Sequence, residues 1–297
     1  MLIPASAAAS QSSDTVERGV LPPEPAVTVA VGAPLVKLLG TAQVTGSVAA
    51  PTPGGTVTGQ ARAGKRVVFD QELPVDEVTG EFSTAIPVRS CCTYVVSAST
   101  ATDEAEPVSF RVRLPNKLGK GPVAKMFNRK LRGAGYHMGS IGKKLNWASR
   151  LGILAFRKVN GMKRNTSYSK RIFRKLLLDT GSFKPRMKRK GRHVEADLSK
   201  QVMAFVVNGR PTHVFHISSG TPSTPTVTGK FRFYLRQPGY NGKMMYYSIY
   251  FTGNYATHGF NPVPTYPASH GCLRNPIPYS KFIYNWVQLG MTIWVYQ

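Results

Sequence analysis

Acid is scarce in this chain. Its 297 residues hold 14 Asp and Glu against 39 Lys and Arg, a formal charge of +25. Long apolar runs are missing too: no stretch of about 18 exists, which excludes an ordinary transmembrane helix. Cysteine is limited to three residues, two of them the adjacent Cys91 and Cys92. Adjacent cysteines suit neither a zinc framework nor an ordinary disulfide staple, so a vicinal disulfide, an intermolecular bond and two small core residues all stay open. No Cys-x-x-Cys or His-Glu-x-x-His occurs to hold a metal. The start, Met1-Leu2-Ile3-Pro4-Ala5-Ser6-Ala7-Ala8-Ala9-Ser10, looks like the tail of a secretory signal around its cleavage site, without the basic and fully apolar regions that precede one.

The positive charge is concentrated. Residues 1–110 carry 6 basic and 11 acidic side chains, residues 111–192 carry 25 basic and the single acid Asp179, and residues 193–297 carry 8 and 2. A block of that density attracts polyanions, whether nucleic acid, anionic membrane or an acidic wall polymer.

Organisation follows composition. Residues 1–26 are rich in Ala, Ser and Pro and read as a disordered or export-related leader. Between 27 and 114, short β-rich runs such as Val27-Thr28-Val29-Ala30-Val31 and Tyr94-Val95-Val96-Ser97-Ala98 alternate with Gly and Pro clusters, predicting an immunoglobulin-like sandwich. From 120 to 183 the period changes. Val123, Met126, Phe127 and Leu131 recur at helical spacing, as do Trp147, Leu151, Leu154, Ala155 and Val159, and then Ile172, Phe173, Leu176 and Leu177. Asn146 is placed to cap the second stripe and Gly161 to stop it, so three short amphipathic helices in a compact bundle are expected. A basic linker at 184–192 leads to a mostly β domain over 193–297, with one helix expected at 277–289.

Chemistry concentrates in that last domain. Ser269-His270-Gly271-Cys272-Leu273-Arg274 places a thiol two residues after an imidazole, and His258-Gly259 lies a short loop upstream. A cysteine attacks as its thiolate, and a nearby imidazole is the usual means of obtaining one near neutral pH. Cys272 is thus the candidate nucleophile and His258 the candidate base, with the Gly259 carbonyl placed to hold the imidazole tautomer. His270 is a supporting candidate. Gly271 permits a tight turn, and its N–H and that of Cys272 are candidate oxyanion donors. Ser269, Arg274, Tyr246 and Tyr247 are candidate substrate contacts, although strand tyrosines are more often core. A zinc site from His258, His270 and Cys272 competes, but no metal-binding spacing supports it. His137, His193, His213 and His216 have no comparable setting.

These motifs resemble the L,D-transpeptidase catalytic family, also called YkuD, over 194–296. The His-Gly pair, the Ser/Thr-His-Gly-Cys motif and the following apolar residue and Arg are its hallmarks, and Thr221 to Gly229 resembles its loop before the site. The order Leu131, Gly135-Tyr136, Ala155-Phe156, Asn160-Gly161, Leu176 likewise resembles a three-helix peptidoglycan-binding domain, without that family's Asp-Gly turn. The first resemblance implies a cofactor-free acyltransferase joining peptidoglycan stem peptides by 3→3 links outside the cytoplasm, in cell-wall biogenesis, with hydrolysis a side reaction. The basic block would dock on acidic wall polymer, and no specific nucleic acid is expected. The alternative is a polyanion-binding protein whose last domain is catalytically silent.

Overall fold

A computed structural model describes residues 26–136 and 138–297. The leader up to residue 25 and His137 lie outside the described residues. The first unit is a two-sheet sandwich. Its strands are β1 (Val27–Val31), β2 (Leu35–Lys37), β3 (Thr41–Val48), β4 (Thr56–Ala63), β5 (Arg66–Pro74), β6 (Glu81–Pro87), β7 (Thr93–Ser99) and β8 (Val108–Arg113). One sheet runs β1-β3-β6 and the other β2-β8-β7-β4-β5. Alternation sends Val44 and Ile86 inward from one sheet to meet Tyr94, Val96 and Phe110 from the other. Strand β4 gave no sequence signal because its inward residues include Gly59 and Ala61. A Cβ on Gly59 would sit 2.7 Å from Leu73 Cδ1, so the small residue admits a large neighbour. Cys91 and Cys92 are joined as a vicinal disulfide, the first of the three open readings.

Three helices follow: α1 (Pro122–Gly133), α2 (Trp147–Val159) and α3 (Lys170–Leu177). Proline at the start of α1 gives up an N–H that has no intrahelical partner there. Asn146 caps α2 as expected, accepting from the Ser149 N–H at 2.9 Å while Ser149 Oγ accepts from the Asn146 N–H at 3.1 Å. The three expected helices are present, but they do not close a core by themselves. Every residue of α2 from Gly152 to Lys158 is buried, more surface than two short helices can cover. Phe127, Leu131, Ile153, Phe156 and Leu176 instead share one core with Val202, Ala204, Val206 and Val214 of the last domain, and with Leu38, Cys91 and Leu114 of the sandwich.

The last domain contains β9 (Arg192–Asp197), β10 (Val202–Val207), β11 (Arg210–His216), β12 (Gly229–Arg232), β13 (Leu235–Tyr240), β14 (Tyr246–Thr252), β15 (Tyr255–Phe260), β16 (Leu273–Pro276), α4 (Ile277–Trp286) and β17 (Thr292–Tyr296). Helix α4 stops short of the expected 289, because Val287 is already extended at ψ 131°. A five-stranded sheet, β11-β10-β9-β17-β12, and a four-stranded sheet, β13-β14-β15-β16, enclose a core that includes Val194, Phe205, Phe215, Ile249, Phe251, Leu273 and Ile293. The period-2 alternation of β10 splits its apolar side chains: Met203 and Phe205 enter this core while Val202, Ala204 and Val206 face the helices. That double burial is what binds the helical segment to the domain.

Candidate active site

The site is made where β15 and β16 run parallel, with Thr257 opposite Leu273 and His258 opposite Arg274. Carrying the register back two residues puts Cys272 opposite Ala256, on the sheet face shared with His258 and one diagonal step from it. The Arg274 guanidinium acts on both groups, lowering the proton affinity of each. His258 is almost wholly buried, at 4% exposed, and Cys272 is half-buried beside Met245, Tyr250 and Ala256. The thiol donates to the Asn254 carbonyl at 3.6 Å.

The His258 tautomer is fixed. Nδ1 lies 3.0 Å from the Gly259 carbonyl oxygen. An acceptor oxygen requires the proton on Nδ1, which leaves the Nε2 lone pair as the base. Gly259 has no room for a side chain, because a Cβ would collide with Ser280 Oγ of α4. Burial pushes the His258 pKa down, partly offset by the Gly259 bond, and the Arg274 charge adds to the fall. Burial pushes the Cys272 pKa up, opposed by the Ala256 backbone N–H and by the charges of Arg274 and Lys243. Both shifts act in the direction of neutral thiol and neutral imidazole.

The loop carrying the thiol is braced from within. Ser269 Oγ donates to the Cys272 carbonyl at 2.6 Å and accepts the Gly271 N–H at 3.1 Å, and Ser269 is 2% exposed. Two expectations change here. The Gly271 N–H is already given to Ser269, so it is not a free oxyanion donor, and the Ser269 hydroxyl is spent inside the loop rather than turned to substrate. Gly271 sits at φ +111°, where a Cβ would lie 2.6 Å from Tyr255 Cε1, so glycine is required there.

The Thr/Pro-rich segment does reach the site. Thr226 Oγ1 donates to the Gly271 carbonyl at 2.7 Å and Thr224 Oγ1 to the Ser269 carbonyl at 3.0 Å. Arg274 braces as well: Nη1 donates to the Ala268 carbonyl at 2.9 Å, and its guanidinium lies 4.0 Å from the centre of the Phe260 ring. His270 is exposed.

Tyr246 and Tyr247 are not brought to the thiol. Tyr246 lies across from Gly259, whose missing side chain would point at Ser280 and at Tyr246 Cβ, so it belongs to the α4 face, opposite His258. Tyr247 packs edge-on to Tyr284 of α4 at 5.0 Å. The tyrosine beside the sulfur is Tyr250, aligned with Ala256 across the strands and held by Gln237 Oε1 at 2.9 Å and Asn241 Nδ2 at 3.2 Å. Sequence reasoning missed it because it sits in a run of aromatics with no way to tell the two faces apart. Among the described residues, no three of His, Cys, Asp and Glu converge as a metal-ligand set, so His258, His270 and Cys272 do not form one.

One further contact was invisible in the sequence. Arg164, between α2 and α3, donates to the Thr265 carbonyl at 3.0 Å and to the Ser199 carbonyl at 3.0 Å, so the helical segment grips the loop between His258 and Ser269. Lys158 of α2 is 3% exposed and donates to the Ile217 carbonyl at 2.8 Å and the Gln201 carbonyl at 3.1 Å, with His216 Nδ1 at 3.3 Å. Burial first, then the nearby Arg164 charge, bring its pKa down to about 6. His193 and His216 are buried, and His213 is half-buried.

A half-buried thiol and a tautomer-locked imidazole on one sheet face, with a tight glycine turn before the thiol, are the groups that thiol–imidazole covalent catalysis employs. Residues 191–295 match the model of the YkuD family, the L,D-transpeptidase catalytic domain, and the last domain of this chain is a YkuD domain. The chain is similar to an L,D-transpeptidase structure from Xylanimonas cellulosilytica, at 28% identity and a TM-score of 0.56 over 62% of this chain and 98% of that one. That coverage is wider than the family match alone. Further matches are an L,D-transpeptidase from Stackebrandtia nassauensis, at 20% identity and TM-score 0.39 over 62% and 98%, and one from Mycobacterium tuberculosis, at 12% and 0.34 over 91% and 98%. No curated protein matches the chain. No helix among the described residues is long and apolar enough to cross a membrane.

Proposed function

We propose that the protein is a peptidoglycan L,D-transpeptidase that forms 3→3 cross-links by acyl transfer through Cys272. The observation that carries this reading is the placement of Cys272 one diagonal step from a His258 whose Nδ1 is held by the Gly259 carbonyl at 3.0 Å. His258 Nε2 takes the thiol proton as Sγ attacks the carbonyl between the third residue of a donor stem and its terminal D-alanine. The Cys272 N–H faces the developing oxyanion, a contact worth about 3–4 kcal/mol of barrier. Collapse of the tetrahedral adduct breaks the C–N bond, and His258 returns the proton to the departing D-alanine amine. A side-chain amine of a neighbouring stem then attacks the thioester, giving its proton to His258 as the amide forms and the thiol is regenerated. Water in place of the amine gives a carboxypeptidase. The protein acts outside the cytoplasm, and its excess positive charge suits docking on acidic wall polymers.

The test is intact-mass spectrometry after exposure to a carbapenem, whose ring opening by the thiol mimics donor acylation. One drug adds to the wild-type chain and none to Cys272→Ala. An unmodified wild-type chain refutes the assignment. The silent polyanion-binding alternative is not favoured, because nothing in a binding role calls for a tautomer-locked imidazole beside the thiol.

A further inference from the structure

The outer face of the five-stranded sheet is divided. Over β10 and β11 it is covered by the helices, through Val202, Ala204, Val206 and Val214. Over β17 and β12 it is not. There Lys230 pairs with Trp294 and Arg232 with Thr292 across the strands, so these side chains share the face opposite the core residues Ile293 and Val295. The basic linker is fastened over the neighbouring strand, because the backbone N–H groups of Arg186 and Met187 donate at 2.9 and 2.8 Å to the carboxylate of the fully buried Glu195, which also receives the Tyr296 hydroxyl. Linker and sheet edge together form a cleft of about 480 Å3 lined by Met187, Arg189, Lys230, Phe231, Arg232 and Thr292. Lys188 and Lys190 are exposed beside it.

None of these cations has an acidic partner. Among the described residues the ion pairs are Lys130–Asp179, His193–Glu195 and Lys200–Asp197. The cleft thus has fixed positive walls and no counter-charge of its own, the arrangement that draws a chain of anions along a groove. The two large rings on the same sheet face, Trp294 and Tyr296, lie outside the cleft lining and are capped by cations. Lys230 Nζ sits 4.9 Å over the Trp294 ring, and the Arg186 guanidinium 3.9 Å over Tyr296. Those ring faces are already covered by cations, so they offer no platform for base stacking, on which single-stranded nucleic acid binders rely.

We infer that this cleft is a binding surface for a flexible polyol-phosphate polymer, held through its phosphodiester groups by Arg189, Lys230 and Arg232. The inference rests on the proposed function only in locating the protein at the cell wall. It adds a second contact with the wall, separate from the stem-peptide site. The experiment is titration of the full chain with poly(glycerol phosphate) of defined length at several salt concentrations, against oligo-dT of equal charge. Poly(glycerol phosphate) binds more tightly than oligo-dT. The triple variant Arg189→Gln, Lys230→Gln, Arg232→Gln weakens binding at least tenfold and lowers the salt slope by about 0.7 per lost contact. The control triple Lys170→Gln, Arg171→Gln, Lys175→Gln on α3 changes affinity less than threefold.

Absence of binding, equal loss in both triples, or oligo-dT binding as tightly as the polyol phosphate overturns the inference. Carbapenem acylation of Cys272, run in parallel, reports folding and separates the two proposals: a wild-type chain that binds polymer yet is not acylated refutes the enzyme and leaves the cleft. Should the triple variant lose acylation, Lys230→Gln alone decides, through a slope lowered by about 0.7 or unchanged.

Discussion

Replacing Ser269 by alanine separates a brace from a substrate contact. The hydroxyl bridges the Gly271 N–H at 3.1 Å and the Cys272 carbonyl at 2.6 Å, at a residue 2% exposed. Removing it strands a buried donor, which costs about 1–3 kcal/mol, and frees a carbonyl that water reaches more easily, for about 1 kcal/mol more. The expected destabilisation is about 2–4 kcal/mol. It is read as a shift in the chemical-unfolding transition of the last domain, followed through Trp286 and Trp294. Because the loop positions the thiol rather than holding substrate, the acylation rate constant falls while the concentration giving half-maximal rate stays within about twofold. Ser269→Thr, which keeps the hydroxyl, restores most of both. Unchanged stability together with a large rise in that concentration refutes the reasoning and returns Ser269 to the substrate.

Three further outcomes follow from the geometry. Since His258 must be neutral to accept the proton and burial holds its pKa below the ordinary value, carbapenem acylation followed by stopped flow falls only as pH drops below about 6.5; His258→Gln removes this limb, slows acylation by about 10²–10⁴ near neutrality, and leaves a rise at alkaline pH where the thiol itself ionises. Arg164→Ala releases the carbonyls of Thr265 and Ser199, so acylation slows severalfold while hydrogen exchange quickens in the loop after Phe260 and remains unchanged in β10; unchanged loop exchange rules out the grip. Lys158 has its pKa lowered to about 6, so between there and the unfolded value near 10.4 the unfolded chain holds the extra proton and stability rises with pH. Lys158→Met flattens that rise in denaturation midpoints and, by orphaning the buried Ile217 carbonyl while that of Gln201 keeps the Ile217 N–H, costs about 1–3 kcal/mol at pH 9; an unaltered pH slope sinks this account.

The sequence carried the chemistry further than the architecture. Cys272, His258 and Gly259 were legible because the chemistry constrains residue type and order, and their geometry needs only two neighbouring strands. Those strands themselves were not legible. In β15, Tyr255-Ala256-Thr257-His258-Gly259-Phe260, and β16, Leu273-Arg274-Asn275-Pro276, polar and small residues are buried by hydrogen bonding, such as Asn275 Nδ2 to Thr257 Oγ1 at 3.1 Å, so no apolar alternation marks them. Ser269 and Gly271 were singled out with other partners in view, and a hydroxyl and an N–H 3.1 Å apart satisfy each other before they reach a ligand. Helix positions followed from period and caps. What the helices bury against did not, since an apolar stripe states that a face is covered and never by what.

The double-sided burial of β10 has a practical outcome for anyone trimming this gene. A fragment beginning at the edge of the family match would bare Val202, Ala204, Val206 and Val214 together. Such a piece would gather into aggregates or cling to chaperones, however intact its nucleophile. A portion that keeps the three helices retains most of that cover and loses only Leu38, Cys91 and Leu114 from the shared core.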